Sequence, residues 1–196
     1  MTKLRIGMSG FGGFLARKLQ ERTEVDWVDG IDNIDYYLHL GSPTFTAAEL
    51  TQHDAQVMHQ YVRETIKLVD RLSVPVIFGS TTGVNDIQLD HFGSTSYNLG
   101  KLYLENYIIN NVDRYMILRI GTIVSANPVD VDTMRSDRIQ PQIKQGNLKG
   151  CLMEDYYLDV TEFVNTTISN ILNFQNGIIE YNLQKITLPN LVRMTK

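Results

Sequence analysis

Tyr97 and Lys101 stand four residues apart in the run Tyr97-Asn98-Leu99-Gly100-Lys101-Leu102-Tyr103-Leu104-Glu105. The stretch reads as a helix, which puts both side chains on one face, one turn apart. A phenol titrates near about 10 in water, so it is a poor acid and a poor base at neutral pH. An ammonium one turn away favours the phenolate and should lower that value. The pair is therefore suited to exchanging a proton, as carbonyl reduction or alcohol oxidation requires. Such a spacing also occurs on solvated helix faces, so its meaning depends on the rest of the chain.

The other informative stretch is Lys3-Leu4-Arg5-Ile6-Gly7-Met8-Ser9-Gly10-Phe11-Gly12-Gly13-Phe14-Leu15-Ala16-Arg17-Lys18-Leu19. Leu4, Ile6 and Met8 alternate as a first strand would. Glycines stand at 7, 10 and 13, and Phe14, Leu15 and Leu19 then open an amphipathic helix. Glycines in this setting permit a tight turn, close approach of backbone N–H groups to a phosphate, and close helix–strand packing. The helix N-terminus would point its positive end at the anion. A glycine-rich turn with no ligand is the plainer reading. The placement between strand and helix makes a dinucleotide site the better one.

These elements need a scaffold, and the remaining sequence supplies one. Strand patterns recur at 25–29, 36–40, 74–78 and 115–124, separated by helical spacing over 54–72 and 97–111. Val74–Phe78 is a continuous apolar run, as expected of a strand buried on both faces. The alternation predicts an α/β fold with a doubly wound parallel sheet. Residues 85–96 read as a polar loop over the site. Further on, the patterns predict a helix at 136–145, a strand at 156–158, a helix at 161–174, a strand at 177–183 and a last helix at 188–194.

Composition sets bounds on function. The 196 residues are most simply one domain, 43% hydrophobic and 20% charged, with a formal net charge of −4. An acidic balance without a long basic run predicts no nucleic-acid partner. No apolar stretch approaches the about 20 residues of a membrane helix. Strand one begins at once, which leaves no room for a secretory signal, and the one cysteine, Cys151, cannot form an internal disulfide. A cytoplasmic location is expected, with Cys151 a packing residue. His39 ends a buried strand and reads as a satisfied core histidine. His53, His59 and His91 lack metal-binding spacing, so no metal is predicted.

Taken in order, these landmarks resemble the extended short-chain dehydrogenase/reductase family, the NAD(P)-dependent epimerases, dehydratases and reductases. The similarity runs from residue 3 to about residue 185. Gly7-Met8-Ser9-Gly10-Phe11-Gly12-Gly13 resembles the family's Gly-x-x-Gly-x-x-Gly turn. Tyr37-Leu38-His39-Leu40-Gly41-Ser42 resembles its fourth strand, and Val76-Ile77-Phe78-Gly79-Ser80-Thr81-Thr82-Gly83-Val84 its fifth, which carries a catalytic Ser or Thr. Tyr97, Lys101 and Glu105 match its Tyr-x-x-x-Lys helix. Met116-Ile117-Leu118-Arg119 and Tyr157-Leu158-Asp159-Val160-Thr161-Glu162-Phe163 are similar to later landmarks.

The resemblance implies a Rossmann-like fold in one NAD(P)-binding domain over 1–196, with 129–196 contributing a small C-terminal substrate lobe. It implies catalytic roles for Thr81, Tyr97 and Lys101. Thr81 would bond the substrate oxygen, with Ser80 the alternative one residue earlier. Tyr97 would exchange the proton, and Lys101 would hold the nicotinamide ribose. The cofactor, NAD or NADP with NAD favoured, would be bound by Gly7, Gly10, Phe11, Gly12, Gly13, Leu40, Gly41 and Ser42 together with Tyr97 and Lys101. Asp29 is either the acidic residue that selects NAD through the ribose 2′-hydroxyl or a turn residue before Gly30.

The chain also departs from the family. The stretch between Gly13 and His39 is short, so a strand and a helix are missing on the adenosine side. Thr122 and Asp155 replace residues that bind nucleotide sugars in many members, which speaks against such a substrate. The expected function is an oxidoreductase or epimerase/dehydratase for a small hydroxyl or carbonyl compound, a class that includes sugar derivatives. The alternative is a catalytically reduced dinucleotide-binding or regulatory protein of the same fold. Excess apolar surface on the helices over 54–72 and 97–111, including Tyr103 and Tyr107, predicts a homodimer through them.

Overall fold

The computed structural model describes residues 2–42, 54–88, 96–124, 154–181 and 184–187. Its centre is a six-stranded parallel sheet. The strands are β1 (Arg5–Ser9), β2 (Asp26–Val28), β3 (Tyr36–His39), β4 (Val76–Thr81), β5 (Tyr115–Ile120) and β8 (Gly177–Glu180). They lie in the order β2-β1-β3-β4-β5-β8. The helices are α1 (Phe14–Gln20), α2 (Asp54–Val69), α3 (Gly83–Gln88), α4 (Ser96–Asn111) and α5 (Val160–Leu172).

The strand period of two sorts the core. Ile6, Met8, Leu38, Ile77, Met116 and Leu118 face α1 and α5, which contribute Ala16, Leu19, Phe163 and Ile168. Val76, Phe78 and Ile117 face the other way, against Val69 of α2 and Leu104 and Ile108 of α4. Helices thus cover both faces, and the central strands read as unbroken apolar runs for that reason. This is the expected Rossmann-like, doubly wound sheet. At the start of α5, the Asp159 carboxylate accepts the Thr161 N–H at 2.7 Å, which satisfies an otherwise orphaned donor.

Several boundaries differ from those read in the sequence. Residues 115–124 are two strands, because the chain leaves the main sheet at Gly121. β6 (Thr122–Val124) then pairs in parallel with β7 (Glu154–Asp159), and β7 pairs antiparallel with β9 (Gln184–Thr187). Of the stretch 177–183, β8 takes Gly177–Glu180, and residues 182 and 183 lie outside the described residues. This second, three-stranded sheet is assembled from segments far apart in sequence, which local periodicity does not register. The polar loop expected at 85–96 begins instead within α3. The helices expected at 136–145 and 188–194 lie outside the described residues.

The connection between β2 and β3 is short, as expected. Residues 29–35 alone connect β2 to β3, which lie on opposite sides of β1. The connection is fastened by the Arg5 N–H to the Asp35 carboxylate at 2.7 Å, and it turns through Asn33 at φ 52°. It passes directly over β1 at Gly7. A Cβ on Gly7 would lie 2.4 Å from the Gly30 carbonyl oxygen and 2.7 Å from Ile34 Cδ1. Backbone cannot yield at such a distance, so the short crossing requires glycine there.

Candidate active site

The glycine turn is built between β1 and α1. Gly10 has φ +70°, and a Cβ there would meet the Gly41 backbone at 3.0 Å. A side chain would be strained by the torsion and obstructed by the contact. The Gly13 N–H closes the turn on the Gly10 carbonyl at 2.7 Å. Gly12 is exposed, and nothing lies within 4 Å of where its Cβ would be. Side chains of α1 brace the outside: Arg17 donates to the Gly12 carbonyl and Gln20 to the Phe11 carbonyl, each at 2.8 Å. Gly7 lies inside β1, so the turn proper runs over 10–13. Buried Ala16 then provides the small residue in the first turn of α1 where helix and strands approach. That position was missed in the sequence for want of a glycine.

At the carboxyl ends of β3, β4 and β5 lies a cavity of about 410 Å³. Leu40, Ser42, Thr81, Tyr97, Asn98 and Lys101 are among its lining residues. Three segments read separately in the sequence therefore meet around one space. Asp29 does not line it; it is an exposed residue just beyond β2.

The two candidate hydroxyls of β4 are differently engaged. Ser80 is buried, and its hydroxyl donates to the Glu105 carboxylate. That carboxylate also receives Arg119, with Nη2 to Oε2 at 2.8 Å, and Arg119 Nη1 reaches Asn85 at 2.8 Å. Thr81 is half-buried, lines the cavity, and its Oγ1 accepts the Gly83 N–H at 3.2 Å. A Cβ on Gly83 would lie 2.5 Å from the Asn98 side-chain amide, so α3 begins in close contact with α4.

Lys101 is only 1% exposed. Its Nζ donates to the Gly79 carbonyl at 2.8 Å and to Tyr61 Oη at 3.0 Å. It lies 4.7 Å from the Phe78 ring centre, 5.1 Å from that of Tyr61 and 5.7 Å from that of Tyr97. Burial lowers its pKa from the usual 10.5 to about 7, against the opposing pull of Glu105. Tyr97 differs from the sequence expectation. Burial raises its pKa, opposed by a hydrogen bond with Ser42. Desolvation of the phenolate outweighs any help from Lys101, whose protons are directed at Gly79 and Tyr61. Tyr97 is consequently a protonated phenol at neutral pH, an acid in its resting state.

His39 is buried and fully engaged, as expected. Nδ1 lies 2.8 Å from Ser9 Oγ, and Nε2 lies 3.2 Å from Tyr61 Oη and 3.3 Å from Thr65 Oγ1. Burial, with Lys101 nearby, lowers its pKa to about 3, so the ring is neutral. Tyr61, which the sequence reading placed only among the apolar positions of its helix, is the residue that joins Lys101 to His39. Among the described residues no group of three or more His, Cys, Asp or Glu could hold a metal ion.

The ionisation of Lys101 has a consequence for stability. Between about pH 7 and 10.5 the unfolded chain carries a proton on this lysine that the folded chain lacks. Unfolding then takes up a proton, so this group's contribution to stability rises with pH across that window. Below it both states are protonated and the cost of burying the ammonium is complete. The unfolding free energy of the wild type minus that of Lys101→Met should therefore rise between about pH 6 and about pH 10 in urea titrations. A flat difference would mean that Lys101 ionises like a solvated lysine.

The result is a parallel sheet with a glycine turn after its first strand and a Tyr–Lys helix packed against β4 and β5. No family model matches the sequence, and no curated protein matches it. Solved structures do match. UDP-N-acetylglucosamine 4-epimerase from Bacillus cereus aligns at 12% identity and TM-score 0.72, over 98% of this chain and 81% of that one. Helicobacter pylori ADP-L-glycero-D-manno-heptose-6-epimerase aligns at 14% identity and TM-score 0.71, over 98% and 81%. A short-chain dehydrogenase/reductase superfamily protein from Agrobacterium tumefaciens, solved with bound NAD, aligns at 16% identity and TM-score 0.66, over 97% and 81%. At these identities the likeness is one of fold.

Proposed function

We propose that this chain is an NAD(P)-dependent oxidoreductase or epimerase/dehydratase acting on a small hydroxyl or carbonyl compound. The observation that carries the reading is the convergence of Thr81, Tyr97 and Lys101 on one cavity beside the glycine turn. The residues fit a nicotinamide dinucleotide. The turn is open at Gly12, Gly10 brings the backbone close to Gly41, and the cavity of about 410 Å³ lies at the ends of the adjoining strands. Gly10, Phe11, Gly12 and Gly13 would hold the diphosphate, and Leu40, Gly41, Ser42 and Lys101 the nicotinamide riboside. Asp29, past the end of β2, is the acidic group available to a ribose. When bound, the nicotinamide supplies or accepts the hydride. Thr81 orients the substrate oxygen and Tyr97 moves its proton.

Calorimetric titration with NAD, NADH, NADP and NADPH tests the reading. Saturable binding of one of them is expected. Failure of all four favours the second reading, a binding or regulatory protein, for which the absent adenosine-side strand speaks. No helix among the described residues is long and apolar enough to cross a membrane, and a small molecule remains the expected ligand.

Assembly through α2 and α4 forms part of the proposal. Val57, Leu99 and Tyr103 are 41%, 49% and 58% exposed, and Leu99 and Tyr103 are one turn apart on α4. Tyr107 is less available, because its hydroxyl is held by Asp70 at 2.5 Å. Light scattering should give about twice the 22.4 kDa chain mass. Tyr103→Glu should return the monomer, and a dimer indifferent to that change would rule out this face.

A further inference from the structure

Lys101 is enclosed by groups from several elements. Tyr61 reaches it from α2, the Phe78 ring and Gly79 carbonyl from β4, and Tyr97 and Glu105 from its own helix. Charge on Lys101 is also felt by His39 of β3. Of these, Tyr61 alone has a side-chain oxygen in a hydrogen bond with Nζ, at 3.0 Å. The contact depends on close packing of α2 on α4, where a Cβ on Gly100 would fall 2.5 Å from Met58 Cε.

Tyr61 does not end the chain of hydrogen bonds. Ser9 Oγ accepts the Gly41 N–H at 3.0 Å and can give its own proton to His39 Nδ1 at 2.8 Å. The neutral ring then carries its proton on Nε2, facing Tyr61 Oη at 3.2 Å. The Tyr61 oxygen receives Lys101 on its other side. Ser9 immediately precedes Gly10, so the chain runs from the cavity to the glycine turn through the protein interior. The stacked His39 and Tyr61 rings, 5.8 Å apart, hold its middle rigid.

We propose that Tyr61 is a positioning residue of this site: its hydroxyl fixes the Lys101 ammonium and couples it, through the His39 imidazole, to Ser9 beside the glycine turn. This rests on the proposed role of Lys101 toward cofactor and substrate. The hydroxyl favours the charged lysine, because an acceptor stabilises an ammonium. Tyr61 thereby adds to the pull of Glu105 against the effect of burial on Lys101, while the ring continues to shape its enclosure.

The test uses the full chain labelled on lysine Cε and Nζ, followed by NMR across pH without ligand. Lys101→Met identifies the resonance by its disappearance. In the wild type it should titrate near about 7, well below the other lysines. Tyr61→Phe keeps the ring and its stacking and should lower that midpoint by about one pH unit. An unchanged midpoint overturns the proposal. If the variant does not fold, the wild type still decides: Lys101 Nζ protons should show Overhauser contacts to the Tyr61 ring, and their absence overturns it. In dinucleotide titrations repeated across pH, Tyr61→Phe should move the pH dependence of affinity by the same amount. Failure of every dinucleotide to bind would sink the cofactor reading and leave the lysine midpoints to judge Tyr61 separately.

Discussion

Tyr97→Phe should reduce turnover by about 10²–10⁴-fold, the usual effect of removing a positioned proton donor. The substitution leaves a ring beside Lys101 and deletes only the oxygen paired with Ser42. Dinucleotide affinity should therefore stay within a few-fold of wild type, and the loss should appear in kcat. Direction matters here. Burial keeps Tyr97 protonated at neutral pH, so reduction of a carbonyl finds its acid ready. Oxidation of the alcohol must first remove that proton and should accelerate toward alkaline pH, while reduction slows. Steady-state rates in both directions across pH check this. Full activity in Tyr97→Phe would remove the tyrosine from the mechanism.

Glu105→Leu should cost about 3–5 kcal/mol of stability, the largest effect expected outside the hydrophobic core. Glu105 is 1% exposed, and Arg119 is 8% exposed. Removing the carboxylate strands the guanidinium between α4 and β5 and leaves the Ser80 hydroxyl without its acceptor. The pair itself is not the source of that cost, since two well-packed apolar residues can replace a buried ion pair with little loss. Glu105→Leu combined with Arg119→Leu should recover much of the deficit, apart from the contacts Arg119 makes with Asn85 and, at 3.5 Å, Glu180. Urea midpoints of the two single variants and the double variant give the coupling. A single variant within about 1 kcal/mol of wild type would mean that the buried arginine finds water.

The fold was legible because its signals are local. A strand buried on both faces writes a continuous apolar run, as at Val76-Ile77-Phe78, and an amphipathic helix writes its period into α2. The turn at 10–13 and the Tyr97–Lys101 spacing are equally local. What the sequence obscured depends on partners distant along the chain. The β6-β7-β9 sheet joins residues 122, 157 and 184. The proton state of Tyr97 is set by how deeply α4 is packed, so the one-turn spacing alone misled. A further constraint on Gly7, the Gly30 carbonyl overhead, was not legible because it comes from a loop whose path has no periodic signature. Tyr61 showed only helical spacing and gave no sign of its hydrogen bond to Lys101.

The abbreviated crossing from β2 to β3 also decides what the sheet presents to solution. Among the described residues β2 is the last strand on its side of the sheet, and unpaired strand edges invite other chains to pair. Here the edge is three residues long, with exposed Asp26 at its start and exposed Asp29 just past its end. The backbone then breaks away at Gly30, whose φ of +143° departs from any strand. Brevity, negative charge and an abrupt bend together deny an incoming strand a ladder to extend. The short crossing thus leaves a sheet edge of the kind that discourages edge-to-edge pairing.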